Sequence, residues 1–411
     1  MAEENLRGFI KEIFKDYEVT KESITSLTKP GDNFLSIMLK VEVILKKRDD
    51  GSEKKLNAVA KCVKNSNDFV KSLFPTAFKN EIIFYKEIVP VLQNFQQERG
   101  IEDVLDMFPE FYGARMNNNG SGEVDDTAVV LLEDLKFDGY INVDRHEGFN
   151  LAEAKIILKD ICRLHATALG LKFSQTELFD EKIRKNCKKA IPLPKPSDKE
   201  RYRQPLEVFF NILADYEECR PYLSNLKIQF DNMRGAINDF FDKPAREPFA
   251  TLVHCDLWVN NTMQLFQGGK IKKNKFVDFQ LYYYQSPVSD VLFFLWSSVH
   301  LDVLKQNFDE LLTYYHTEFT DQLRRLNCNT NLFDIDKFWE EIDAVAPTNF
   351  IDIMYMTMFV VFGKKDRGDD ELLETDGIKG VLKEDVPKAA KDKIAFMVSE
   401  YGRRKWIEKS N

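Results

Sequence analysis

Leu252-Val-His-Cys-Asp-Leu-Trp-Val-Asn-Asn-Thr262 contains His254, Asp256 and Asn261 in the pattern H-x-D-x-x-x-x-N. Three residues at fixed spacing recur by chance, so the pattern needs support from its surroundings. Asp256 and Asn261 place two oxygen-bearing side chains on one short stretch. The residues that follow decide whether these oxygens belong to a site.

Asp278 supplies that support, because it lies 17 residues after Asn261 in Phe276-Val-Asp-Phe-Gln280. The residues between them form two arms with apolar positions around Gly268-Gly269, a pattern that predicts a β-hairpin with a glycine turn. Closing the hairpin would set Asn261 opposite Asp278. Two oxygen donors would then meet at one point, as a hard cation that bridges phosphates requires.

A lysine in an apolar strand and a glutamate on a helix are predicted to form an ion pair. Lys61 interrupts Ala58-Val-Ala-Lys-Cys-Val63, and a charge in such a strand needs a partner. Glu81 lies on the face of a predicted helix, residues 74–92, that we expect to be buried. The alternatives are a snorkelling lysine and a surface glutamate, and both fail together if the pair exists.

These residues match what phosphoryl transfer requires of a protein. One carboxylate must orient the attacking hydroxyl and accept its proton, a role that fits Asp256. Metal ligands are also needed, and Asn261 and Asp278 fit them. A cation must contact the donor phosphates, and Lys61 fits that role.

The first 135 residues are predicted to be rich in strands and to carry one helix. A strand at 36–46 is followed by a turn at Gly51 and a second strand, which together indicate a hairpin. The helical pattern at 74–92 follows, and we expect Pro90 to help end that helix. Another strand is predicted at 127–135.

The rest of the chain is predicted to be mainly helical. The clearest helix covers 151–171, and a basic, proline-bearing stretch at 188–203 indicates an exposed loop before the next helix. Two short strands follow, at 249–254 and 275–279, and then helices to the C-terminus. The pattern predicts an α+β fold with a small antiparallel-sheet lobe, a connector and a larger helical lobe.

Composition excludes several classes of protein. The 411 residues include 58 Lys and Arg against 67 Asp and Glu, a formal net charge of −9, so no positive field exists to bind nucleic acid or anionic lipid. The six cysteines are scattered without zinc spacing, which indicates a reduced chain. Without a signal peptide, and with Val291–Trp296 as its longest apolar stretch, we expect a cytoplasmic protein with no membrane contact and no obligate protein partner.

The motifs resemble, in order, those of the protein-kinase-like fold in its small-molecule branch, which contains aminoglycoside phosphotransferases and choline kinases. The residues concerned are Lys61, Glu81, Leu131-Leu-Glu-Asp-Leu135, His254-x-Asp256-x4-Asn261 and Asp278-Phe-Gln280. The segments Asn80-Glu-Ile-Ile-Phe-Tyr85 and His-Cys-Asp-Leu-Trp-Val-Asn-Asn are most similar to the insect ecdysteroid-kinase-like family. The resemblance covers about residues 25 to 400.

This resemblance implies a bilobal kinase fold that uses ATP and Mg²⁺. Its boundaries would be a nucleotide-binding lobe at 1–130, a connector at 131–136 and a catalytic lobe at 137–411. The resemblance implies that Asp256 is the base and that the connector binds the adenine of ATP. The implied nucleotide-binding residues are Lys61, Glu81, Gly31, Ser36, Glu133 and Leu135, and the implied metal ligands are Asn261 and Asp278.

Three departures from related families bear on the function. The protein-kinase loop G-x-G-x-x-G is replaced by Pro30-Gly-Asp-Asn-Phe-Leu-Ser36. Cys255 stands where aminoglycoside phosphotransferases usually carry Gly, and Gln280 replaces the Gly of D-F-G. With no A-P-E sequence after Asp278, these features argue against a protein kinase.

Other polar residues have structural interpretations. We interpret His254 as holding the catalytic loop and His165 as a satisfied core histidine. Asp290 could favour a helix start, brace the catalytic loop, or both. We interpret the aromatic cluster 279–284 as packing between lobes rather than an acceptor cage.

The sequence predicts an ATP-dependent kinase that phosphorylates a hydroxyl of an apolar small molecule, sterol-like or xenobiotic. Helices at about 200–245 and 290–360 are expected to wall the acceptor site with aromatic residues. Two alternatives stay open, a catalytically inactive kinase-like binding protein and a Ser/Thr protein kinase. The aromatic residues concerned are Phe209, Phe210, Phe240, Phe241, Trp296 and Phe359.

Overall fold

The N-terminal part contains five strands: β1 Tyr17–Ser26, β2 Ser36–Lys47, β3 Glu53–Val63, β4 Phe111–Arg115 and β5 Val129–Glu133. They form one antiparallel sheet with the order β1-β2-β3-β5-β4. The turn between β2 and β3 places Gly51 at φ 70°, so the predicted hairpin is confirmed. A computed structural model describes residues 2–27, 36–63, 68–190, 199–232, 235, 241–362 and 386–409.

The two faces of β3 have different surroundings because side chains alternate sides along a strand. Ala60 lies on the face that packs against α1 (Ala2–Ile13) in a small hydrophobic core. Lys61 points to the other face, where it is paired across strands with Met38. Ser36 shares that face, since it is two residues before Met38 on β2.

One nearly continuous helical segment crosses from the sheet toward the helical part of the chain. It comprises α2 (Asp68–Ile83), a π-helical turn (Phe84–Ile88) and α3 (Val89–Glu98). The expectation that Pro90 helps to end the helix is therefore wrong. Pro90 lies in the first turn of α3, where a missing N–H is tolerated, and the π-helical turn before it changes the hydrogen-bond pattern.

The C-terminal part is built mainly from helices around a large hydrophobic core. The predicted helix at 151–171 is confirmed as α4. The helix expected after the predicted loop at 188–203 begins at Lys199, so that loop is wrong over 199–203, while 191–198 lie outside the described residues. The helices are α4 Leu151–Ser174, α5 Thr176–Lys182, α6 Lys199–Ala214, α7 Leu223–Asp231, α8 Val288–Ser298, α9 Leu301–Arg325, α10 Ile335–Phe362 and α11 Lys388–Arg403.

Two small antiparallel pairs lie within the helical part. β6 (Thr251–Val253) pairs with β9 (Tyr283–Gln285), and β7 (Thr262–Gln267) pairs with β8 (Lys270–Phe276). Gly268 and Gly269 form the turn between β7 and β8 at φ 59° and 74°, so the predicted glycine hairpin is confirmed. Residues 254–261 therefore lie between β6 and β7, and residues 277–282 lie between β8 and β9.

The expected α+β fold is confirmed, with a small antiparallel-sheet lobe carrying α2 and a mainly helical lobe. Within the described ranges, no helix combines the length and apolar character that crossing a bilayer demands.

Candidate active site

Lys61 joins the two lobes through a cluster of three charges, which we call the ion cluster. Its Nζ lies 2.6 Å from Oε2 of Glu81 on α2 and 2.7 Å from Oδ1 of Asp278 in the helical lobe. Glu81 is 1% exposed, so its charge is stabilised by the lysine rather than by water. The predicted Lys61–Glu81 pair exists, and both alternative interpretations of these residues are wrong.

The pKa values of the pair reflect burial working against mutual attraction. Burial alone would lower the pKa of Lys61, but the carboxylates of Asp278 and Glu81 outweigh it and raise that pKa. Burial raises the pKa of Glu81, and the lysine opposes this rise. The lysine therefore stays charged and needs both acids beside it.

Asp256 and Asn261 are held together in residues 254–261, which we call the catalytic loop after the role expected of Asp256. Nδ2 of Asn261 donates to Oδ2 of Asp256 at 2.8 Å and to the Asp256 carbonyl oxygen at 2.9 Å. The backbone N–H of Val277 donates to the Asn261 carbonyl oxygen at 3.0 Å, which places Asn261 beside the segment that carries Asp278. The hairpin thus brings the three predicted residues into one region.

His254 fixes the start of the catalytic loop. Its Nε2 lies 3.0 Å from the carbonyl oxygen of Val277, and its Nδ1 accepts from the backbone N–H of Asp256 at 3.3 Å. Burial lowers the pKa of His254, which favours the neutral ring that these two partners require. The contacts agree with the structural role predicted for this residue.

The backbone is in the left-handed region at two non-glycine residues of the site. Cys255 has φ 63° and Asp278 has φ 66°. Such conformations persist where the surrounding structure enforces them, and they concentrate at functional sites. Glycine would adopt the φ of Cys255 without strain, so the cysteine carries a conformational cost here.

Asp290 braces the catalytic loop from the first turn of α8. Its carboxylate accepts from the backbone N–H groups of His254 at 2.6 Å and Cys255 at 2.9 Å. Burial would raise the pKa of Asp290, but hydrogen bonds from His165 and the loop hold it below its usual range. Asp290 therefore has both of the roles that sequence reasoning left open.

His165 extends this brace into the helical core. Its Nε2 lies 3.1 Å from Oδ2 of Asp290, and its Nδ1 lies 2.7 Å from the hydroxyl of Tyr315. Sequence reasoning placed His165 correctly in the core but missed its link to the catalytic loop. Its partners are more than a hundred positions away, so no local pattern signals the link.

Burial and neighbouring carboxylates together disfavour the charged form of Asp256. Burial raises the pKa of Asp256 to about 8, and the carboxylates of Asp278 and Asp352 add to the rise, while the hydrogen bond from Asn261 opposes it. Asp352 is an exposed residue of α10 between the buried Ile351 and Ile353. Sequence reasoning missed Asp352, because it is far from Asp256 in the sequence and no local pattern links the two residues.

The other residues that were expected to bind the nucleotide have different surroundings. The carboxylate of Glu133 accepts from Lys275 Nζ at 2.7 Å and from the backbone N–H of Glu110 at 2.9 Å. Leu135 is buried in an apolar cluster with Met263. Ser36 is buried on the Lys61 face of the sheet, and Gly31 lies outside the described residues.

The expected aromatic walls of the acceptor site are only partly available. Phe209 and Trp296 are fully buried in the core and offer no surface to an acceptor, so that expectation is wrong for them. Phe241 packs edge-on against Tyr283 with 4.9 Å between ring centroids. Side chains of Phe240 and Phe359 lie outside the described residues. Phe279 stacks on Phe84 at 3.7 Å, which agrees with lobe packing.

The donor set at the junction suits a magnesium ion that is shared with phosphates. No group of three or more His, Cys, Asp or Glu that could hold a metal occurs in the described part of the chain. Magnesium needs fewer protein ligands than that, because phosphates and water complete its shell. Asn261 uses its amide nitrogen on Asp256, so its side-chain oxygen is not engaged by those two bonds.

Comparisons with known proteins identify the family. The model of the ecdysteroid kinase-like family matches residues 30–328. Similar solved structures include spectinomycin phosphotransferase APH(9)-Ia in complex with ADP and spectinomycin, at 10% identity and TM-score 0.42, covering 96% of this chain and 98% of that one. A choline kinase from Cryptosporidium parvum matches at 10% identity and TM-score 0.44, with 97% and 95% covered.

A third solved structure, an ethanolamine kinase from Plasmodium vivax, matches at 12% identity and TM-score 0.38, covering 94% of this chain and 84% of that one. No curated protein sequence matches significantly. The family match spans well over half of the 411 residues. The chain belongs to the ecdysteroid kinase-like family.

Proposed function

We propose that this protein transfers the γ-phosphate of ATP to a hydroxyl of a small apolar alcohol, with Asp256 as the base. The observation that carries the proposal is the 2.7 Å contact between Lys61 and Asp278, which joins the sheet lysine to the segment beside the catalytic loop. Phosphoryl transfer needs a cation, metal ligands and a carboxylate in one site. Membership of the ecdysteroid kinase-like family supports the same class of reaction.

On the donor side, Lys61 would contact the phosphates and Glu81 would hold it in place. Asn261 and Asp278 would hold Mg²⁺, which when bound neutralises charge on the phosphate oxygens. Lys61 and Asp278 bind each other in the structure. We therefore expect Mg²⁺ and nucleotide to replace that direct contact with contacts of their own.

For the nucleotide base, we propose the connector 131–136 between lobes at 1–130 and 137–411. Leu135 would form part of an apolar surface with Met263 and Val277, which belong to the same cluster. The side chain of Glu133 is already bound to Lys275, so its contribution would come from the backbone. Ser36 and Gly31 would lie toward the phosphates.

On the acceptor side, the hydroxyl would approach Asp256, which accepts its proton as the oxygen attacks phosphorus. We propose the paired rings of Phe241 and Tyr283 as an apolar wall for the acceptor, because Tyr283 is partly exposed and pairs with Val253, directly before the catalytic loop. The family name indicates ecdysteroid-like acceptors, and we propose sterol-like or xenobiotic alcohols as the class.

The test is a panel of steroid and phenolic alcohols incubated with protein, ATP and Mg²⁺, with products identified by mass spectrometry. The proposal predicts at least one alcohol that gains a phosphoryl group only when protein, ATP and Mg²⁺ are all present. A generic Ser/Thr peptide panel runs in parallel as the comparison substrate.

Each result of that test has a defined meaning. Strong phosphorylation of peptides with none of the alcohols would assign the protein to the protein-kinase class instead. Nucleotide binding detected by a thermal shift, without transfer to either panel, would favour the catalytically inactive binding protein.

A further inference from the structure

Asn80 makes two hydrogen bonds that join distant parts of the chain. It lies in α2 directly before Glu81 and is 1% exposed. Its Nδ2 donates to the carbonyl oxygen of Lys188 at 2.9 Å and to the carbonyl oxygen of Gln280 at 3.0 Å. A side-chain amide has two N–H donors, so both are used.

The hydrogen bond from Asn80 to the Gln280 carbonyl ties α2 to the segment that carries Asp278. Gln280 is two residues after Asp278, and its Nε2 also donates to Oδ2 of Asp278 at 3.3 Å. Asn80 and Glu81 are neighbours on the same helix turn. A shift of Asn80 relative to Gln280 would therefore change the separation of the two carboxylates that hold Lys61.

The hydrogen bond from Asn80 to the Lys188 carbonyl ties the same helix turn to residues 186–190, which we call the acceptor-side segment. The hydroxyl of Tyr282 donates to the carbonyl oxygen of Asn186 at 3.1 Å, so this segment is held at two places. Nζ of Lys189 lies over the ring of Phe241, 5.2 Å from its centroid. The acceptor-side segment thus contacts the aromatic wall proposed for the acceptor.

We propose that Asn80 is a positioning residue that couples the acceptor-side segment to the ion cluster. The inference rests on the proposed function, because it concerns how the acceptor side and the donor side of that site stay aligned. A buried amide whose donors were unpaired would be destabilising, whereas here each donor fixes a different segment. Alignment of reacting groups within about 1 Å can change a rate by about 100-fold, so such a tie has catalytic consequences.

The test compares Asn80→Asp with Gln96→Glu, a matched amide-to-acid change. Gln96 is also buried, and it bridges Thr167 and the backbone N–H of Leu105 without contacting the ion cluster. Asn80→Ala is the second variant, which removes both bonds without adding an acid. Hydrogen exchange followed by mass spectrometry is measured for all variants, together with transfer to an alcohol from the panel.

The proposal predicts that backbone exchange rises in 183–190 and in 279–285 together, by about tenfold or more, in both Asn80 variants but not in Gln96→Glu. It also predicts that kcat for the alcohol falls by about 10- to 100-fold, while KM for MgATP changes less. Wild-type exchange in the two segments, or raised exchange with unchanged kcat, would overturn the coupling. An inactive wild type would instead contradict the proposed function, since the exchange measurement needs no turnover.

Discussion

The ion cluster and the acids near the catalytic loop are two charged regions of the same site that are built differently. In the ion cluster, Lys61 lies within 2.7 Å of both Glu81 and Asp278. Asp256 and Asp352, which we call the acid pair, repel each other, and no ion pair joins either one to a basic side chain in the described ranges. In the first region a lysine offsets part of the negative charge, whereas the second contains acids alone.

The difference separates stability from chemistry. A buried charge that loses its partner is strongly destabilising, so the ion cluster contributes to folding as well as to the site. In the acid pair, burial raises the proton affinity of Asp256, and the carboxylates of Asp278 and Asp352 add to that rise. Substitutions in the ion cluster should therefore affect both folding and turnover, and substitutions in the acid pair mainly turnover.

Among substitutions that test this difference, Lys61→Met should have the largest effect on stability. The variant leaves Glu81 buried without its cation, and we expect a loss of about 3–5 kcal/mol in the free energy of unfolding. Urea unfolding monitored by circular dichroism measures it. The double variant Lys61→Met/Glu81→Leu should recover much of the stability but none of the activity. Equal stability of the single and double variants would contradict the role of Lys61 in stabilising the buried Glu81 charge.

Asp290→Asn tests whether the catalytic loop depends on its brace. The amide can accept fewer hydrogen bonds from His254, Cys255 and His165, so we expect a loss of about 1–3 kcal/mol. Because the folded pKa of Asp290 is depressed, its stabilisation is present above the usual carboxyl pKa of about 4 and is lost as the pH falls below it. Unfolding measured from pH 7 down to 3 should show a weaker pH dependence in the variant. An unchanged profile would mean that Asp290 is not the brace.

Asp352→Asn sharpens the contrast on the side of the acid pair. Removing this negative charge should lower the pKa of Asp256, so the acidic limb of the kcat/KM profile should move to lower pH by less than about one unit. Stability should change little because Asp352 is exposed. The profile is measured with MgATP and an alcohol from the panel. A shift toward higher pH would contradict the assigned interaction.

Cys255→Gly should give the smallest effect. The substitution relieves a left-handed φ of 63°, but it also increases the entropy of the unfolded chain, so we expect a net change within about 1 kcal/mol and near-wild-type turnover. Thermal unfolding and a turnover assay measure both. Loss of turnover would show that the thiol itself contributes to the site.

The parts of this protein that could be predicted from sequence are those fixed by local patterns. Gly268 and Gly269 mark a tight turn, so the meeting of Asn261 with the segment of Asp278 follows from a hairpin. The Lys61–Glu81 pair could be predicted because each charge interrupts an apolar pattern of its own element. Such signals need no knowledge of the tertiary structure.

Other features depend on contacts that no local pattern encodes. Asn80 bonds carbonyl oxygens 108 and 200 positions away, and any residue can supply a backbone carbonyl. Trp296 was expected to line a cleft but is buried, because an aromatic residue on an apolar helix fits either location. Pro90 was expected to help end a helix, yet the π-helical turn before it lets α3 continue.

The most direct test of the account is the turnover of Asp256→Asn on an alcohol that the wild type phosphorylates. We predict that kcat falls by about 10³-fold, while the affinity for MgADP, measured by calorimetry, stays within about threefold of wild type. Transfer by the variant at the wild-type rate would contradict Asp256 as the base and, with it, the proposed mechanism.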